Sequence, residues 1–144
     1  MKQSFFAQFA FLLVIIAACN AQTPSAAEQQ NTAKSKAMGC DQLDGKQYNI
    51  TLTTAGKVEG SEMLSFKNKT VESSECLKYG FAASSYTCGE ALDGSLAIET
   101  VMTSEKEGRM DWKLSATGTQ VRGSILWVKA GQADIAYTFE GPLK

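Results

Sequence analysis

The feature that most constrains this chain is an apolar–polar alternation with a period of two, running from about residue 45 to residue 140. Tyr48, Ile50 and Leu52 share one side, and Asn49, Thr51 and Thr53 share the other. Leu64 and Phe66 alternate with Ser65 and Lys67, and Leu96 and Ile98 line up with Thr100 and Met102. Met110, Trp112, Leu114 and Ala116 oppose Asp111, Lys113 and Ser115. Ile125 and Trp127 follow, and then Ile135, Tyr137 and Phe139 stand against Thr138 and Glu140. A helix would space its apolar residues three and four apart. A period of two is the pattern of strands buried on one face.

Turn-forming residues punctuate the runs at steady intervals: Ala55-Gly56-Lys57, Lys67-Asn68-Lys69, Asp93-Gly94, Lys106-Glu107-Gly108, Thr117-Gly118-Thr119 and Ala130-Gly131-Gln132. Asp93-Gly94 is the strongest signal for a type I′ hairpin, whose two central residues both need positive φ. The strands fall at roughly 46–54, 62–68, 70–77, 84–91, 95–104, 109–117, 120–129 and 133–140, with no helix-length pattern between them. Short connections make sequence neighbours pair. The fold class is therefore all-β, an antiparallel meander of about eight strands. Eight such strands can pack as a sandwich or close into a barrel, and the up-and-down barrel is expected because closure removes the edge strands that invite aggregation.

The first residues are a different material. Lys2 gives a basic start, an apolar stretch runs over residues 5–18, and Ile16-Ala17-Ala18-Cys19 ends it. The stretch is too short for a comfortable membrane span, which needs about 20 residues, and it fits the apolar core of a secretory signal. The final four residues resemble the lipobox of bacterial lipoproteins. That resemblance implies removal of residues 1–18, acylation of Cys19 and a bacterial cell-envelope location, with the lipid bilayer as a partner. Stable anchoring takes about two acyl chains, which a lipoprotein anchor supplies. An ordinary secretory signal is the alternative. Residues 19–38 hold the lipidated cysteine and a linker without aromatic residues or, before Met38, large aliphatic ones. Such a segment buries too little to offset its ordering entropy, and it spans roughly 25 Å as a flexible chain. Residues 39–144 form the barrel domain.

Within that domain, Leu43-Asp44-Gly45-Lys46-Gln47-Tyr48 and Tyr137-Thr138-Phe139-Glu140-Gly141 resemble the opening and closing strands of lipocalin-type barrels. Cys76-Leu77-Lys78-Tyr79-Gly80-Phe81 is similar to a Cys-x-x-x-Gly-Phe segment of short bacterial lipoproteins. Tyr48 stands where lipocalins carry tryptophan, and no arginine follows Arg122. The likeness therefore implies a shape and no substrate.

Composition narrows the chemistry. The net charge is −1 and Lys and Glu are scattered, which excludes a nucleic-acid surface. There is no histidine, so the commonest general base and the commonest metal ligand are missing. Ser73-Ser74 and Ser84-Ser85 have no partner to activate them, and Glu105 and Glu107 beside Gly108 read as a solvated hairpin tip. Neither an enzyme, a cofactor nor a metal is expected. Beyond Cys19 the cysteines are Cys40, Cys76 and Cys88. Export favours a disulfide, and Cys76 with Cys88, flanking a Gly-containing loop on neighbouring strands, is the expected pair. Cys40 is the alternative partner for either.

The aromatics carry the functional expectation. Tyr48, Phe66, Trp112, Trp127, Tyr137 and Phe139 either line a cavity for a small apolar ligand or fill the barrel. Tyr79, Phe81 and Tyr86, in the connection least like a plain hairpin, either form a contact loop or plug one end. These features predict a membrane-anchored envelope lipoprotein that binds a small apolar ligand, in a cavity of at least about 300 Å³. The alternative is a solid barrel that recognises an envelope protein or a glycan, with Leu126 and Val128 marking an outer surface. A variant of that alternative is an inhibitor of an envelope-directed enzyme. Lysozyme inhibitors of similar size carry a Ser-Gly-x-x-Tyr loop, which this sequence lacks.

Overall fold

The computed structural model describes residues 38–144. The signal segment, Cys19 and the linker up to residue 37 lie outside the described residues. The strands are β1 (Gln47–Thr54), β2 (Lys57–Lys67), β3 (Thr70–Ser73), β4 (Ser84–Glu90), β5 (Leu96–Ser104), β6 (Gly108–Ala116), β7 (Gln120–Val128) and β8 (Ile135–Pro142). A helix, α1 (Ser74–Lys78), joins β3 to β4. Each strand pairs antiparallel with its sequence neighbours, and β8 returns to β1 through Thr51↔Glu140, Leu52↔Phe139 and Thr53↔Thr138. The sheet is a closed eight-stranded meander, the expected barrel. Gly141 sits at the closing seam, where the backbones come so close that a Cβ there would lie 1.8 Å from the Asn49 carbonyl oxygen.

The third strand departs from expectation. It ends at Ser73, and the chain turns into α1. Ser73 is extended, and its Oγ accepts the Cys76 backbone N–H at 3.0 Å, as a helix N-cap does. Glu75 follows in the first turn, and Lys78 in the last turn reaches back to it at 2.7 Å, which suits both the helix dipole and i,i+3 pairing. Ser-Ser-Glu thus works as a start signal, although its polarity also fits a strand. The helix places Cys76 off the sheet, so the expected Cys76–Cys88 bridge does not form. Cys88 bonds Cys40 instead, across a Cα–Cα distance of 6.0 Å, and Cys76 is a buried free thiol. The sequence favoured the wrong partner because it treated residues 74–77 as strand.

The hairpins also differ from expectation. Asp93-Gly94 is not a two-residue type I′ turn, since only Gly94 has positive φ and the loop closes from the Ala91 N–H to the Ser95 carbonyl. Asp93 instead uses Oδ1 to accept from both the Ser95 N–H and its hydroxyl. Two consecutive positive φ values occur at Ala55-Gly56 and at Asn68-Lys69. β2 begins at Lys57, five residues before the alternation becomes readable. Its first part is exposed and contains a register shift opposite Leu52/Thr53.

The barrel has two unlike ends. The lower end carries the β2–β3, β4–β5 and β6–β7 turns and the segment preceding β1. There Met38, expected as the last residue of the linker, is buried at 6 % exposure, and Leu43 is fully buried. The Tyr48 hydroxyl donates to the Thr117 carbonyl at 3.1 Å, and the Leu143 N–H bonds the Thr119 carbonyl. Tyr48, Phe66 and Tyr86 form a chain of edge-to-face rings with centroids 6.1 and 5.4 Å apart, and Trp112 packs on Phe139 at 5.4 Å. Large rings close this part of the barrel. The upper end carries the β1–β2, β5–β6 and β7–β8 turns together with α1, and it is not filled.

Candidate functional site

An apolar cup of about 300 Å³ occupies the upper end. Its depth is set by register. Ile125 pairs with Trp112 on one side and Tyr137 on the other, so the cup begins where the ring-filled core stops. Leu52 of β1 and Met110 of β6 line its walls, with Trp127 of β7 and Tyr137 of β8 nearer the mouth. Cys76, Tyr79 and Phe81, from α1 and the connection after it, close over the side where β3 and β4 pair only at Thr70↔Ser85 and Val71↔Ser84. A short strand leaves that gap, and the helix covers it.

The wall is held rigidly. Trp127 Nε1 donates to the Glu107 carbonyl at 2.6 Å, and Lys129 Nζ pairs with the Glu107 carboxylate at the same distance while standing 6.0 Å from the Trp127 ring. Glu107 is therefore a brace for the aromatic wall and not the solvated tip that the sequence suggested. Glu105 and Lys106 are the exposed residues of that turn. On the opposite side Ser104 Oγ donates to the Tyr79 carbonyl at 2.9 Å, fixing the connection after α1 against the β5–β6 turn.

Among the described residues three carboxylates line the cup, Glu62, Glu75 and Glu107, and no lysine or arginine does. Glu75 and Glu107 each pair with a lysine outside it. Glu62 has no cationic partner among the described residues. Only 7 % exposed, it points inward in the row of Leu64 and Phe66. Its Oε2 accepts from Ser73 Oγ at 2.5 Å, while Oε1 is buried without a hydrogen-bond partner. Burial raises its pKa above the ordinary carboxylate value, against the pull of the Ser73 hydroxyl and the Glu75 backbone N–H. Burial likewise pushes the Cys76 thiol up to about 11, and its sulfur lies 3.6 Å from the Met110 sulfur. A thiol held in that state is a poor nucleophile.

The structure separates the aromatics that the sequence grouped. Trp127 and Tyr137 line the cup, whereas Tyr48, Phe66, Trp112 and Phe139 belong to the filled core. Phe81 is 1 % exposed and seals the cup from within, so it is a plug and not an outer contact residue. Tyr79 is 61 % exposed at the rim. Tyr86 is half-buried against Phe66, away from the cup. Of the proposed outer surface, Leu126 is exposed and Val128 is half-buried. The residue that sequence reading missed is Glu62. Its signal was the alternation itself, since a period of two puts Glu62 on the face of Leu64 and Phe66. Comparison of the chain with protein-family models, curated proteins and solved structures finds no match.

Proposed function

We propose that this protein is an envelope lipoprotein, tethered through acylated Cys19, whose barrel holds a small, mostly apolar ligand in the upper cup. The observation that carries the proposal is the division of the barrel. Large rings fill one part, whereas a space equal to about ten water molecules stays open beside Trp127 and Tyr137. A barrel needed only as a rigid support gains stability by filling that space, because unfilled apolar volume forfeits contacts. The cup has the character of a ligand site: a mostly apolar lining, few polar groups, and an aromatic wall braced by hydrogen bonds. The lipobox supports the tether.

Native mass spectrometry of the protein released gently from its own envelope tests this reading. A reproducible extra mass, lost on denaturation and lost from a variant whose cup is blocked by Ile125→Trp, is the expected result. A bare mass for a correctly folded protein overturns it.

A further inference from the structure

We infer that the ligand is an amphipathic cation, an apolar body carrying an amine-type N–H donor, and that Glu62 Oε1 is the group that receives it. This inference rests on the proposed binding role of the cup and adds the chemical class of what the cup binds. Four observations converge on Glu62. Its side chain is inward and more than nine-tenths buried, at the start of a row that continues with Leu64 and Phe66. Its Oε2 is occupied by Ser73, which fixes the orientation of the carboxyl group, whereas Oε1 has no partner. It is the one carboxylate lining the cup without a lysine, since Glu75 and Glu107 are matched by Lys78 and Lys129. Finally, the lining contains no cation that would receive an anionic head group.

A buried acceptor without a partner is costly, and a buried charge without a counter-charge is costlier. Among the described residues only the Ser73 hydroxyl and the Glu75 backbone N–H answer the Glu62 carboxylate; Oε1 is left without a donor and the charge without a cation. An ammonium group answers them together by forming a charge-assisted hydrogen bond in a site already stripped of water. The surrounding Leu52, Met110, Ile125, Trp127 and Tyr137 accept the apolar body. The same arrangement repels carboxylates, so the cup selects against fatty-acid-like anions as well as for amines. Rejection is half of specificity.

The test is a calorimetric titration of three probes with the same chain length: n-octylamine, 1-octanol and octanoate. The protein is the chain carrying Cys19→Ser, which keeps lipid out of the assay. The expected order is octylamine at least tenfold tighter than octanol, with octanoate weakest. Glu62→Gln should remove the preference for the amine over the alcohol. Equal affinities for amine and alcohol in the unsubstituted cup overturn the charge assignment and leave the binding cup standing. Survival of the amine preference in Glu62→Gln overturns the role of Glu62. Failure of all three probes to bind overturns the inference and the cup's binding role with it. The order of the three probes on the Glu62-containing protein decides the matter even where the variant does not fold.

Discussion

Glu62 lies directly opposite Ile50 on the β1–β2 ladder, and both side chains face into the barrel. A carboxylate facing an isoleucine in a core row is the point at which the barrel changes character. Below this pair the interior is rings and branched aliphatics. Above it are the cup, the helix and the mouth.

The position of Glu62 sets a pH dependence. Its pKa is raised in the fold relative to the unfolded chain. Between the ordinary and the raised values the folded protein keeps a proton that the unfolded chain has lost. Stability is then greatest at acid pH and falls as pH rises through the raised value, with a slope of at most about 1.4 kcal/mol per pH unit. The groups facing it are the Ser73 hydroxyl, the Cys76 thiol and the Glu75 carboxylate, with Glu107 and Tyr137 across the cup. Urea denaturation from pH 4 to 8 should show Glu62→Gln gaining stability over the parent as pH rises. A constant difference across that range would contradict the assignment.

Trp112 and Trp127 should behave differently although both point inward. Trp112 is fully buried against Phe139, and Trp112→Ala should cost about 3–5 kcal/mol. Trp127 is half-buried at the cup, and its replacement by alanine should cost about 1–2 kcal/mol while abolishing probe binding. Equal losses in chemical denaturation would mean that the cup wall is ordinary core.

The Cys40–Cys88 bridge encloses a long loop, with a sequence separation of 48. Loop-closure entropy assigns it about 4 kcal/mol. Cys40→Ala should lose about that much and make stability insensitive to reductant. Cys76→Ala should leave the reductant effect intact, because Cys76 takes no part in the bridge. Unfolding with and without reductant on both variants checks this.

Gly141→Ala should open the β1–β8 seam, since the added Cβ meets the Asn49 backbone and no side chain can yield. A loss of at least about 1–3 kcal/mol is expected. Gly118→Ala, in open space, should change stability by less than about 0.5 kcal/mol. Thermal melts of the two variants make the comparison.

Much of the architecture is legible in the residues because burial on one face of a strand leaves a mark at every second position. Tyr48-Ile50-Leu52 and Met110-Trp112-Leu114 declare their strands without help from elsewhere. The helix at Ser74–Lys78 is not legible in the same way. It is one turn longer than a cap, too short for a periodic stripe, and its sequence suits a strand as well. The cysteine partner was lost with it, because pairing depends on where α1 carries Cys76. Strands alone also cannot say which inward rings stop at the filled core and which reach the mouth, since that depends on stagger around the closed barrel. Glu62 is legible from the same alternation, since it stands two residues before Leu64 and begins the inward row of β2.

The most direct measurement is a methyl NMR titration of the protein with an organic extract of the cells that make it. Leu52, Met110 and Ile125 report on the cup, whereas Leu43, Val71 and Val121 report on the filled core. Shifts that saturate and are confined to the first group are the predicted result. No shifts, or shifts spread over the outer strands around Leu126, would contradict a ligand-holding cup.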